Sequence, residues 1–156
     1  MKVLCIDHIA VGVDNIAEAE ANFKRIGCIP LLTNHRDDTK YTVEYTAWGE
    51  SCLTLVQPDD ETCFVYKDMT RRGGQGLHHM GIEVEDINEA EKFFVENGGK
   101  VGPKETIEGV RTEFVVAPKN NSGVLVQVMQ FFPPYAGKTP AERYAMLAKD
   151  GKLHHG

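Results

Sequence analysis

Two histidines, His8 and His79, each open a copy of nearly the same segment. Residues 8–27 read HIAVGVDNIAEAEANFKRIG, and residues 79–98, displaced by 71 positions, read HMGIEVEDINEAEKFFVENG. Eight of twenty positions are identical: His8 with His79, Val13 with Val84, Ile16 with Ile87, Glu18-Ala19-Glu20 with Glu89-Ala90-Glu91, Phe23 with Phe94, and Gly27 with Gly98. Imidazole is the commonest metal-binding side chain. A repeat that sets it at equivalent strand positions predicts a pseudosymmetric divalent-metal site. An ion there would act as a Lewis acid on an oxygen of its ligand.

Strand parity supplies the candidates. Side chains alternate across a strand, so His8 shares a face with Ile6, Ala10 and Gly12, and His79 shares one with Leu77, Gly81 and Glu83. Glu44 lies opposite Val43 and Tyr45, Thr54 opposite Leu53 and Leu55, and Gln127 opposite Val126 and Val128. One assignment sends His8, Glu44, Thr54, His79 and Gln127 to the same concave side. Glu113, in Arg111-Thr112-Glu113-Phe114, takes the place that Glu44 has in Thr42-Val43-Glu44-Tyr45. That makes Glu113 the expected second proton-transfer group or a metal ligand. Trp48 and Met129 are read as cleft lining. His78 is read as helix-facing, with no metal role.

The elements that must position these residues form a repeated grammar. Strands are expected over Met1–Val13, Cys28–Asn34, Lys40–Trp48 and Cys52–Gln57, with a helix from Asp14 or Asn15 to about Phe23 ended by Gly27. Gly49-Glu50-Ser51 is read as a turn and Asn34–Lys40 as a polar hairpin loop. The second copy gives strands at Leu77–Val84, Val101–Thr106, Val110–Ala117 and Gly123–Phe131, with a helix at Ile87–Glu96. The organisation is therefore a first βαβββ module at 1–57, a connector at 58–76 with a short helix around Glu61–Arg71, a second module at 77–131, and an extension at 132–156. The fold class is α+β, two modules forming one curved eight-stranded mixed sheet with a central cleft. In the extension, Thr139 caps a helix over Pro140–Lys149, with Tyr144, Met146 and Leu147 as its apolar stripe. Packing, covering the cleft and docking on a partner are its three readings, packing foremost. The His154-His155 pair is read as a flexible tail.

Composition narrows the partners. With 17 basic and 23 acidic residues the net charge is −6, which opposes a nucleic-acid surface. The opening MKVLCIDHIAVGV carries Lys2 and Asp7 in too short an apolar run for a signal peptide or membrane helix. Cys5, Cys28, Cys52 and Cys63 form no C-x-x-C pair and are read as reduced core residues of a cytoplasmic protein.

The stretches IDHIAVGVDNIAEA, GLHHMGIEVEDI and PKNNSGVLVQV, with the spacing of the connector from Pro58 through QGLHH, resemble the vicinal oxygen chelate superfamily of glyoxalase-like enzymes. Within it the likeness is greatest to methylmalonyl-CoA epimerases. It spans about residues 4–130. The resemblance implies a dimer and metal-assisted proton transfer beside a carbonyl, on an acyl-CoA or 2-oxo substrate. It implies His8 and His79 as ligands of one divalent ion (Zn, Ni, Co or Mn) and Glu44 as a catalytic carboxylate. Gln127 stands where the family has Glu, and Thr54 where it has Gln or Glu, so two ligand positions carry weaker donors. Lys119 falls in the family's Pro-Lys turn, where it would meet a substrate phosphate or carboxylate. Three classes follow: an epimerase-like isomerase, a glyoxalase I-type lactoylglutathione lyase, and a non-catalytic small-molecule binding protein. A ring-cleaving dioxygenase is disfavoured, because Gln127 spoils its two-His, one-carboxylate set.

Overall fold

The computed structural model describes residues 1–152. In chain order its elements are β1 (Val3–Gly12), α1 (Ile16–Lys24), β2 (Ile29–Arg36), β3 (Tyr41–Trp48), β4 (Ser51–Pro58), α2 (Phe64–Arg72), β5 (Gly76–Val84), α3 (Ile87–Glu96), β6 (Glu105–Ile107), β7 (Arg111–Val116), β8 (Leu125–Phe131) and α4 (Pro140–Lys149). The class is α+β, and the eight strands belong to one mixed sheet, in keeping with tandem βαβββ modules. The expected Val101–Thr106 strand shrinks to an isolated bridge from Val101 to Val116, with the strand itself at β6. The His154-His155 pair lies outside the described residues. Among those described, no helix is long and apolar enough to cross a membrane, and none of the four cysteines is in a disulfide.

The chain forms two compact units, one of Met1–Asp7 with His79–Lys138, the other of His8–His78 with the segment from Thr139 onward. In the His8 unit, β3 pairs antiparallel with β2 and β4, and β4 pairs parallel with β1. In the His79 unit, β8 pairs parallel with β5 and antiparallel with β7, which pairs with β6. Each unit buries one sheet face under its own helix. Val13, Ala19, Cys28, Leu53 and Leu55 pack with Ile16 and Phe23 in the first. Ile82, Val84, Ile87, Ala90, Phe114, Val116, Val126 and Val128 pack with Phe94 in the second. Burying one such Leu or Phe contributes about 2–3 kcal/mol.

Equivalent devices start both helices. Asn15 accepts from Glu18 N at 2.9 Å to cap α1, and Asp86 accepts from Glu89 N at 2.9 Å to cap α3. The first helical N–H of α1 is satisfied by Gln57 Oε1 at 2.8 Å, and that of α3 by Gln130 Oε1 at 2.9 Å. In α4 the expected Thr139 cap is present, and Glu142 completes it into a capping box. α2 lies close to the end of β1: a Cβ on Gly12 would sit 2.9 Å from Met69 Cγ, so a larger residue there would force the Met69 side chain to shift.

Candidate functional site

In the His79 unit the polar face follows from strand register. Gly81 pairs with Gln127, and Gln127 with Val115, while Met129 pairs with Glu113 and Phe131 with Arg111. His79, Glu83, Gln127, Glu113 and Arg111 therefore share the face opposite the α3 core. Gln127 Nε2 donates to Glu113 Oε2 at 3.0 Å, and the Arg111 guanidinium pairs with the same carboxylate. Cys5 Sγ donates to Glu83 Oε2 at 3.5 Å. Met129 is fully buried on this face. His79 is half-buried. The expected sharing of a face by His79, Gln127 and Glu113 is observed, and Arg111 joins them.

In the His8 unit, Ala10 pairs with Thr54 and His8 with Cys52, so His8 and Thr54 share a face as expected. Tyr45 pairs with Thr54, and Glu44 with Leu55. Tyr45 therefore joins His8, and Glu44 points the other way. This corrects the expected grouping. The cause is the length of one turn. Trp48 pairs with Ser51, leaving Gly49 and Glu50 as a two-residue hairpin turn, with Gly49 at φ +62, as the first central residue of a type II′ turn requires. A three-residue turn would have put Glu44 and Thr54 in phase. One residue of register flips every side chain to the opposite face.

Glu44 is consequently buried beneath α1, only 1 % exposed. Its Oε1 has no hydrogen-bond partner, and its Oε2 accepts from Thr33 Oγ1 at 3.5 Å. Burial, followed by the hydrogen bond and charge of Glu20, lifts its pKa from 4.5 to about 7. Glu20 is held below its ordinary value, mainly by the hydrogen bond from Lys24. Trp48 has the same parity as Glu44, and its indole donates to Ile26 O at 3.1 Å, just past α1. It lies away from the His8 face, against the expectation that it lines a cleft with His8. Lys119 is exposed in a short turn at Pro118–Asn120. His78 is buried against α2, with Asp68 at 3.9 Å and the Phe64 ring at 5.5 Å. Burial, outweighing the Asp68 charge, holds its pKa below the usual histidine value.

The His8 face is covered by α4, which packs against β2, β3 and β4. Tyr144 stacks on Tyr45 with centroids 5.0 Å apart, and its hydroxyl stands 3.5 Å from His8 Nδ1. The sequence showed the apolar stripe of this helix but not where it docks, so Tyr144, Tyr45 and the fully buried Arg143 were missed. Parity with Glu113 was the available signal for Arg111.

Of the four expected metal donors, His8 and Thr54 share a face within one unit, and His79 and Gln127 share a face within the other. Among the described residues no three His, Cys, Asp or Glu side chains form a metal-binding group. Two of the four donors are neutral oxygens, a weak set for a divalent ion. An ion held by these residues would need water or substrate oxygens to complete its coordination.

Residues 7–117 match the family described as the Glyoxalase/Bleomycin resistance protein/Dioxygenase superfamily. An ethylmalonyl-CoA/methylmalonyl-CoA epimerase of Cereibacter sphaeroides is 26% identical over 130 residues, covering 80% of this chain and 96% of that protein. Among solved structures, the methylmalonyl-CoA epimerase of Mycobacterium tuberculosis superposes with a TM-score of 0.74 at 21% identity, covering 86% of this chain and 92% of that one. A Streptomyces coelicolor methylmalonyl-CoA epimerase variant in complex with 2-nitronate-propionyl-CoA superposes at 0.69 and 20% identity, covering 83% of this chain and 98% of the other.

Proposed function

From the premise that the chain belongs to the glyoxalase/bleomycin resistance protein/dioxygenase superfamily, we propose that it is an isomerase moving a proton at the carbon beside a carbonyl, with an acyl-CoA thioester as its substrate, in the manner of a methylmalonyl-CoA epimerase. The observation that carries the chemistry is the Glu113 carboxylate, placed on the His79 face and held by Gln127 and Arg111. The identity to the Cereibacter epimerase along nearly its whole length supports the substrate class.

In this reading Glu113 takes the proton from one face of the carbon, and a water molecule returns one to the opposite face, which inverts the centre. Arg111 and Gln127 fix the carboxylate's orientation, and Gln127 Oε1 stays available as an acceptor toward ligand. A positioned base of this kind contributes about 10²–10⁴-fold in rate. Glu44, beneath α1, has no part in the proton transfer. Lys119 is the proposed contact for a substrate phosphate. A divalent ion would supply carbonyl polarisation, and this part of the proposal rests on His8 and His79 occupying equivalent positions in the repeat. Assembly as a homodimer belongs to the same proposal.

The test is deuterium incorporation at C2 of methylmalonyl-CoA in D2O, read by mass spectrometry, with protein that is chelated or loaded with cobalt, nickel, zinc or manganese. The expected result is exchange that is lost in Glu113→Gln. Binding of the thioester without exchange in any metal state would overturn the isomerase and leave a binding module. Elemental analysis beside the His8→Ala/His79→Ala variant checks the metal: about one ion per chain, lost in the variant, is expected.

A further inference from the structure

We infer that α4 is a lid, closed over the His8 face in the resting protein, and that it must leave this face before a ligand reaches the His8 imidazole. The inference rests on the reading that the His8 face is a ligand face.

Three observations carry it. The first is closure. His8 is 5% exposed, Thr54 2% and Tyr45 8%, and the helix over them buries Arg143, Tyr144 and Leu147 to 1% or less. Tyr144 is the latch: it lies flat on Tyr45 and presents its hydroxyl to His8 Nδ1, its ring edge-on to the imidazole at 6.3 Å. The ligand-binding nitrogen of a histidine is selected by what the other nitrogen contacts, so the latch also governs the imidazole.

The second is how the helix is attached. Its capping box is internal, made by Thr139 and Glu142 alone, so the first turn keeps its hydrogen bonds whether or not the helix is docked. Ala141 N donates to Glu50 O at 3.0 Å, which fastens the start of α4 to the β3–β4 turn. Just upstream, Gly137 is exposed with φ +73, a conformation that glycine adopts without strain. A self-capped helix behind an exposed glycine can swing as a unit.

The third is the repeat. α4 lies beyond residues 7–117, the part that matches the family, and it belongs to neither copy. His79, at the position equivalent to His8, is half-buried rather than closed over. The cover over His8 is thus an addition to the repeated plan. A closed lid lowers apparent affinity by the fraction of molecules that are open, so ligands bind the His8 face weakly until α4 moves.

The test clamps the lid reversibly. The backbone bond between residues 141 and 50 places them side by side, so Glu50→Cys/Ala141→Cys joins α4 to the β3–β4 turn when oxidised and releases it under dithiothreitol. A peptide map verifies the bond. The readout is modification of His8 by diethyl pyrocarbonate, measured on its tryptic peptide without metal or substrate. His8 should react at least tenfold slower in the oxidised form than in the reduced one, and Tyr144→Ala should react at least tenfold faster than the parent. Equal rates in the oxidised and reduced forms would overturn the lid. A difference in labelling between forms that both fail to exchange methylmalonyl-CoA would support the lid and remove the acyl-CoA reading instead.

Discussion

The two copies of the repeat treat the same position in opposite ways. Ala10 pairs with Thr54 and Gly81 with Gln127, and the next strand sets Tyr45 and Val115 beside them. One residue back, Glu44 is therefore equivalent to Phe114, and two back, Val43 to Glu113. The expected match of Glu44 with Glu113 is off by one. Under α3 the second copy buries a phenylalanine, 2% exposed, where under α1 the first buries a carboxyl group. On the other face the order reverses: Glu113 joins Arg111 and Gln127 there, whereas the first copy has Val43, Tyr45 and a covering helix. Duplication has conserved the backbone and the two histidines. Polar chemistry has concentrated on the strand face of one copy and beneath the helix of the other.

The sharpest way to break this comparison is at the paired positions. Phe114→Ala removes a core ring and should cost about 3–5 kcal/mol in denaturant unfolding. A loss under 1 kcal/mol would mean that Phe114 is not the keystone that its burial indicates. Next, Glu113→Gln should lower the C2 exchange rate at least about a hundredfold, near 2.7 kcal/mol, while Glu44→Gln changes it by less than about threefold. Comparable losses in the two variants would return Glu44 to the chemistry.

The pH dependence of stability sharpens the contrast further. Glu44 titrates near 7 in the folded protein against an ordinary 4.5. Between those values the native state holds a proton that the unfolded chain has lost. Its contribution to stability is thus full below about pH 4.5 and disappears as pH rises through 7, a fall of about 2–3 kcal/mol. Glu20, held low by Lys24, has the opposite sign: its contribution is present above 4.5 and lost as pH falls below it, so the two windows do not overlap. Urea unfolding at pH 5 and pH 8 should show the fall in the parent and not in Glu44→Gln. A parent with equal stability at both would refute the buried proton. The smallest expected effect is at the caps: Asn15→Ala and Asp86→Ala should each cost about 1 kcal/mol. Unequal costs, measured by thermal melting, would show that the two helices are not held alike.

Much of this was legible in the sequence, where local periodicity decides the outcome. The helix caps at Asn15 and Thr139, the strand order of each copy, and the common face of His79 and Gln127 all follow from patterns a few residues long. The face of Glu44 did not, because parity within a strand says nothing of its phase against a neighbour. That phase hangs on whether the turn holds two residues or three, and Gly49-Glu50-Ser51 is compatible with either. The docking of α4 was likewise hidden, since an apolar stripe states that a helix must be covered without stating by what.

Neither compact unit is one continuous stretch of chain, and this sets a timetable for synthesis. The residues that lead into β1 find their partners late: Glu85 N bonds Lys2 O, and the Lys2 ammonium pairs with Glu85. α4, made long after β2, β3 and β4, closes onto them. A nascent chain stalled after β4 would therefore carry β1 with its first residues unpartnered and the His8 face bare, a state for chaperones to shield. A split of the gene at the connector would yield two fragments, each lacking a piece encoded in the other.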